Sequence, residues 1–307
     1  LNTNHIYSKM PKFLIIYRIF LGIAFALYFN KIMADSTHIT FIWLLFYKFM
    51  YKKEKTMKNL ILATILLFTS VLAQTSEFRV IENKAFTVGE KLTFNIKYGF
   101  VTAGVAVMEI PKIKKIAGRD VYHVTFKVNS LPSFDPFYKV RDRYETYIDV
   151  EALFPWRFEQ HVREGGFSMD FAAFFDHRKG VAKTSKGTYD IPENVNDIVS
   201  TFFYARTLDY SNLEVGDKFE LHNFYKKQVY PLDVIYKGKE TVEVEAGTFD
   251  CIMVEPVIVE GGLFKTEGKI TIWLTDDELK IPVKVKTKIL IGSIDAELSE
   301  YEGLRKN

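Results

Sequence analysis

The residue types able to act on a substrate are few in this chain, and they stand apart. Beyond residue 73 there are four histidines, His123, His161, His177 and His222. None stands at a metal-ligand spacing from another His or from the one cysteine, Cys251, so no zinc site is expected. No Gly-x-Ser-x-Gly elbow and no phosphate-binding glycine loop occurs. Asp276-Asp-Glu278 offers carboxylates for a cation or for acid–base work. It lacks the alternating ligands and the glycine of a calcium loop, and it reads as a turn. Phe249-Asp-Cys-Ile-Met-Val254 reads as a strand, with Cys251 as a small buried hydrophobe. No catalytic residue, cofactor or metal ligand is assigned.

What gathers instead is aromatic. Phe167, Phe171, Phe174, Phe175, Phe202, Phe203, Tyr204 and Tyr210 cluster around the stretch 191–206. They form either the ordinary core of a curved sheet or an apolar cavity under a helix, able to hold an acyl chain or similar ligand. The candidate cavity or joint residues are Phe171, Phe174, Phe202, Phe203, Tyr204 and Arg206, with Asp197 and Ser200.

A short helix at about 194–207 must position them. Asn194 or Asn196 caps its start, and Asp197 in the first turn faces the positive end of the dipole. Val195, Ile198, Val199, Phe202 and Phe203 recur at helical spacing. Phe202 and Phe203 point about 100° apart on a helix, so both are buried only if sheet embraces it on more than one side. Tyr204 and Arg206 then point towards the rim, where Arg206 can pair with a carboxylate.

Around this helix the pattern has period two. Leu92, Phe94, Ile96 and Tyr98 alternate with Lys91, Thr93, Asn95 and Lys97. Short alternating runs separated by turn residues continue to residue 303, with Gly165-Gly166 and Gly261-Gly262 as hairpin glycines. No βαβ rhythm appears, which excludes a dinucleotide fold. Val88-Gly-Glu-Lys91 returns as Val215-Gly-Asp-Lys218, and Pro155 as Pro282, at one offset of 127. The expected fold is all-β. It is a curved antiparallel sheet or partly open barrel of two duplicated halves, about 86–176 and 213–303, joined by the helix in one β domain over 74–307.

The start of the chain reads differently. Met57 to Ala73 has a lysine, a short apolar run from Leu60 to Phe68, and Val71 and Ala73 before a cut that leaves Gln74 first. It reads as a signal peptide, and residues 1–56 as mis-called upstream sequence, the alternative being a pair of membrane segments at Phe13–Phe29 and Ile39–Tyr51. Of 41 Lys+Arg and 38 Asp+Glu, nine and two fall in residues 1–73; the rest holds 32 and 36, about −4. That balance excludes the basic face a nucleic-acid binder needs.

Several runs resemble one family. They are Gly89-Glu-Lys-Leu-Thr-Phe94 with Ala103-Gly104, Asp197…Ser200…Tyr204-Ala-Arg206, Val244-Glu-Ala-Gly-Thr-Phe-Asp250, and Ile272-Trp-Leu-Thr-Asp276…Ile281-Pro-Val283…Gly292-Ser-Ile294. Together they are similar to the domain-of-unknown-function family 3108, exported β-rich proteins of Gram-negative bacteria. The resemblance implies an all-β fold and an exported protein, periplasmic or associated with the outer membrane. It implies no activity. The function expected is that of a non-enzymatic envelope protein with a lipid or apolar small molecule in a β cavity. Alternatives are a structural module whose strand edges pair with an envelope protein and, third, a hydrolase. Terminal sequencing of the exported protein is expected to start at Gln74; finding residues 1–56 attached would refute the signal assignment.

Overall fold

The computed structural model describes residues 78–257 and 269–306; the signal segment, Ala73, Gln74 and Gly261-Gly262 lie outside them. Alternation of apolar and polar residues yields eight strands first: β1 (Lys91–Tyr98), β2 (Val101–Ile116), β3 (Arg119–Ser130), β4 (Arg141–Asp149), β5 (Pro155–Glu164), β6 (Phe167–Asp176), β7 (Val181–Thr184) and β8 (Gly187–Asp190). A helix α1 (Ile198–Ala205) follows. Six strands complete the chain: β9 (Lys218–Tyr225), β10 (Gln228–Val244), β11 (Gly247–Pro256), β12 (Ile270–Thr275), β13 (Pro282–Lys288) and β14 (Ser293–Glu302).

All belong to one 14-stranded antiparallel sheet in which each strand lies beside its sequence neighbour, and β1 also pairs with β14. The first and last strands of the described chain thus join the two halves in the middle of the sheet. The expected curved antiparallel sheet with one short helix is what the described residues form. β8 and β9 are left as its edges, so the sheet does not close into a barrel. The seam between them is bridged by residues 191–196. Ile191 N donates to Gly180 O at 2.8 Å, Asn196 N to His222 O at 2.9 Å, and Phe224 N to Asn196 O at 2.8 Å. Such a strap covers backbone groups that a bare edge would expose.

Three pairs of strand starts stand at the offset seen in the sequence, while β3 and β11, β4 and β12, and β6 and β14 start 128, 129 and 126 apart. Lys91 and Lys218 open β1 and β9, Val101 and Gln228 open β2 and β10, and Pro155 and Pro282 open β5 and β13, each pair 127 apart. We infer from this spacing that the two halves are copies of one unit.

The concave face carries the core. Leu92 and Phe94 on β1, Ile110 on β2, Val124 on β3, Phe158 on β5 and Phe175 on β6 are buried together with Phe203 of α1 and Phe86 from the segment before β1. Because the strands alternate in direction, their connections fall on two rims. Helix α1, residues 85–90 and the β12–β13 turn occupy one of these.

Candidate functional site

The plugged end is built from the helix outward. An eight-residue helix is marginal alone, so its termini and its apolar face must be held by the sheet. The N-cap is Asp197, not Asn194 or Asn196. Asn194 instead takes a left-handed turn conformation with φ of 57°, and Asn196 is used in the strap. Asp197 Oδ1 accepts from Val199 N at 2.8 Å and Ser200 N at 2.9 Å, while Ser200 Oγ accepts from Asp197 N at 2.9 Å. This reciprocal capping uses the Ser200 hydroxyl structurally, in a fully buried place. Thr146 Oγ1, from the concave face of β4, donates to Asp197 Oδ2 at 2.6 Å. Thr201 Oγ1 bonds Asn223 of β9 and also donates to Asp197 O at 2.8 Å. One helical turn therefore ties the middle of the first half to the edge of the second.

At the other terminus Arg206 does not reach the rim solvent; it is wholly buried. Its expected carboxylate partner is Glu90, also buried, to which Nη1 donates at 2.6 Å and Nη2 at 2.9 Å. Nη2 also donates to Ala85 O at 3.0 Å, and Nε to Leu279 O at 3.2 Å. The guanidinium lies over the rings of Phe86 and Phe203. The C-terminal end of a helix favours such a cation.

Towards the opposite rim the concave face opens. Along β1 the inward residues pass from buried Leu92 and Phe94 to half-buried Ile96. β3 passes from Val124 to Phe126 and Val128, β6 from Phe175 and Ala173 to Phe171, and β14 from Leu298 to Ala296. Phe171 meets Phe158 on one side and Tyr225, the last residue of β9, on the other, at ring distances of 6.2 and 6.0 Å. Gln160 projects among them from β5. It is 7% exposed, and its Oε1 has no hydrogen-bond partner among the described residues. The Gln160 amide interacts with the hydroxyls of Tyr144 and Tyr225, and burial raises both phenols, Tyr144 to about 12. The arrangement is a largely apolar trough with a buried, unpaired acceptor, bordered towards the open rim by the mutually bonded carboxyls of Asp142 and Glu164.

The candidate residues divide accordingly. Phe171 lines the trough, and Phe202 and Tyr204 are half-buried between the main core and a smaller apolar cluster of the second half. Phe203 is solid core, with its ring 4.9 Å from that of Phe86. Phe174 is a correction: it pairs with Arg157 and Lys183, lies on the convex side and is 37% exposed. Strand parity separates it from Phe171 and Phe175. Phe167 sits at the tip of the β5–β6 hairpin, away from the helix. Sequence reasoning missed Glu90, Thr146, Gln160, Tyr144 and Tyr225. Thr146 and Gln160 carried a signal, because each is a polar residue at the inward parity of its strand, as Asp142 on β4 and Glu164 on β5 also are.

Most of the remaining polar groups make structural bonds, although His123 Nδ1, His161 Nε2, His177 Nδ1, Asn196 Oδ1 and Asp295 Oδ1 are, like Gln160 Oε1, buried without a hydrogen-bond partner among the described residues. His123 Nε2 meets Glu145 Oε2 at 2.6 Å on the convex face, and its ring stacks on Tyr147. His177 Nε2 donates to Pro155 O at 2.8 Å within a Phe154–Trp156 cluster. Asp277 Oδ1 accepts from Thr275, Leu279 and Lys280 and so closes a turn. Asp149 is likewise a buried turn carboxylate, bonded to Arg119 and Trp156. Cys251 is buried, with its thiol pushed up to about 12 by desolvation.

The chain belongs to the family of proteins of unknown function DUF3108, whose family model matches residues 93–299. A search of curated proteins found no match. Among solved structures, a β-barrel-like protein of the domain-of-unknown-function family 1849 from Brucella abortus is 11% identical with a TM-score of 0.47. The match covers 72% of this chain and all (100%) of that one. A candidate lipoprotein from Parabacteroides distasonis is 12% identical, and a candidate exported protein from Bacteroides fragilis 11% identical. Each of these has a TM-score of 0.28 and covers 74% of this chain and 100% of its own.

Two predictions follow from the plugged end. Arg206→Met leaves the Glu90 carboxylate buried without its partner and should destabilise the fold by about 3–5 kcal/mol in denaturant unfolding. Combining it with Glu90→Leu should restore part of that loss. The second concerns pH. Burial raises the Asp197 carboxyl to about 6, against its hydrogen bonds, and lowers His177 to about 4. The folded-state preference for protonated Asp197 is full below about pH 4, its unfolded value, and is lost as pH rises through 6. The contribution of neutral His177 is full above about 6.5 and is lost as pH falls towards 4. The two slopes oppose each other in one window. Asp197→Asn, which keeps the cap acceptor, should make stability rise more steeply between pH 4.5 and 6.5 than in the parent. His177→Asn should have the opposite effect on the slope. Unfolding midpoints at the two pH values decide this, and parallel curves would refute it.

Proposed function

We propose that this DUF3108 protein is an exported, non-enzymatic envelope protein that holds a lipid-like molecule on its concave face. The carrying observation is the half-open trough around Gln160. Inward residues of β1, β3, β6 and β14 remain apolar where they cease to be buried, and they surround a buried acceptor that no group among the described residues satisfies. Buried polar atoms are ordinarily paired, and a ligand hydroxyl or protonated carboxyl can supply the missing donor. A chain running down the trough would lie against Phe126, Val128 and Phe171, with its end towards Phe202. Such a site is mostly apolar with a few convergent polar groups, as small-molecule sites are. The signal-like stretch ending at Ala73 supports export. Ser200, the helix hydroxyl closest to a carboxylate, is fully used by the cap, which removes the nucleophile a hydrolase would need there.

Native mass spectrometry of protein purified from its own envelope tests this reading. The expected result is a population carrying an adduct of lipid mass, reduced in Phe171→Ala and in Gln160→Leu while the fold is retained. Phe202→Ala should weaken ligand retention at little cost in stability, whereas a core ring would cost about 3–5 kcal/mol. An adduct-free protein that also fails to take up a fluorescent fatty acid would overturn the proposal and leave the interaction-module reading.

A further inference from the structure

The two rims of the sheet differ in a way the trough does not explain. The open rim holds the β1–β2, β3–β4, β5–β6 and β13–β14 connections, which are consecutive along the sheet. Each presents a large apolar side chain to solvent: Phe100 is 98% exposed, Phe137 84%, Phe167 55% and Leu290 100%. Ile291 beside Leu290 is also exposed. Neighbouring tips are fastened together. Tyr98 Oη donates to Ile291 O at 3.2 Å, and Gly165 N donates to Lys139 O at 2.8 Å. On the plugged rim the corresponding turns present Gly118, Glu151, Lys179, Glu245 and Asp276–Glu278. The apolar residues exposed towards that end include Val80, Val88, Ile113, Phe174, Val215 and Tyr301, none of them at a turn apex.

Lysines flank the tips of the open rim. The next turn on the open rim beyond Phe167, between β7 and β8, carries Lys186. The β9–β10 turn is Lys226-Lys227, and Lys139 and Lys288 lie at the bases of the Phe137 and Leu290 tips. Lys186, Lys227 and Lys288 form no salt bridge among the described residues; the open rim also carries Asp135 and Glu164, and the plugged-rim turns mix Glu151, Glu245, Asp276, Asp277 and Glu278 with Arg178, Lys179 and Lys280.

We propose that the open rim docks on an anionic phospholipid bilayer, with the four apolar tips inserted among the headgroups and the flanking lysines against the phosphates. Successive tips are two strand spacings apart, roughly 10 Å, so four of them span roughly 30 Å. Separate projecting apices of Phe and Leu suit penetration of an interface better than the flat patch of a protein–protein contact. Aromatic side chains favour the headgroup level, and basic neighbours add attraction to anionic lipid. The proposal stands whether or not the trough holds a ligand, because it concerns the tips alone.

The test places an environment-sensitive fluorophore at single cysteines in the full chain, with Cys251→Ala as background. The labelled positions are Phe100→Cys, Leu290→Cys and, on the plugged rim, Val215→Cys. Vesicles of phosphatidylethanolamine with phosphatidylglycerol should brighten and blue-shift the labels at 100 and 290 and leave that at 215 in water. Phosphatidylcholine vesicles should give a weaker response. In vesicle titrations read from a label at Phe137→Cys, Leu290→Ser should raise the vesicle concentration needed for half-maximal signal by about tenfold, the ratio for withdrawing one large side chain from an apolar phase. The proposal is overturned if labels at 100 and 290 stay aqueous on bound protein, if 215 responds as they do, or if phosphatidylcholine serves equally. It is also overturned if both labels brighten without vesicles as protein concentration rises, which would assign the tips to a second copy of the chain.

Discussion

The buried pair of Arg206 with Glu90 is the constraint on which the architecture depends. An antiparallel sheet whose outer strands are β8 and β9 has to be sealed by something other than a strand pair. The strap and α1 do this, and a helix so short holds its place only through its ends. Arg206 bonds Glu90, Ala85 and Leu279 and thereby links the helix to the segment before β1 and to the β12–β13 turn. A buried charge is tolerable only when its partner is ionic and its remaining donors are used. The forked guanidinium meets both conditions; a lysine ammonium could not present the same planar set of donors.

Much of the architecture was legible because it rests on periodicity. Alternation along 91–98, the 127-residue offset and the helical recurrence from Val195 to Phe203 all concern neighbours in sequence or one fixed spacing. The Glu90 partner was not legible, since it lies 116 positions from Arg206 and nothing local distinguishes it from other carboxylates. The cap shows a subtler failure. Asn194, Asn196 and Asp197 are all good capping residues. The choice fell to Asp197 because Thr146 waits for its second oxygen on β4, a tertiary contact that no local rule contains.

Phe174 shows the opposite case, in which a local rule sufficed and was not applied. Phe171, Phe174 and Phe175 cannot share one face of a strand, because side chains alternate. Parity alone puts Phe171 and Phe175 on one side and Phe174 on the other. Pairing of Phe174 with Arg157 and Lys183 then gives it a convex, partly solvated place against long side chains, where an exposed aromatic is ordinary.

The same parity rule places Thr146 and Gln160, with Asp142 and Glu164, as polar residues on a mostly apolar face, and the structure treats the first two differently. Thr146 is satisfied: its hydroxyl meets Asp197 and helps fasten the helix, so its polarity belongs to the fold. Gln160 is one strand over and also buried, yet its carbonyl oxygen accepts from no donor among the described residues. A sequence under selection for folding alone would place an apolar residue there, as it does at Phe158 and Val162 on the same strand. Positions where local consistency fails without structural compensation are where function is expected. Gln160 lies in the part of the concavity that the helix leaves unfilled, which is why the trough, and not the convex His123–Glu145 pair, is the proposed site.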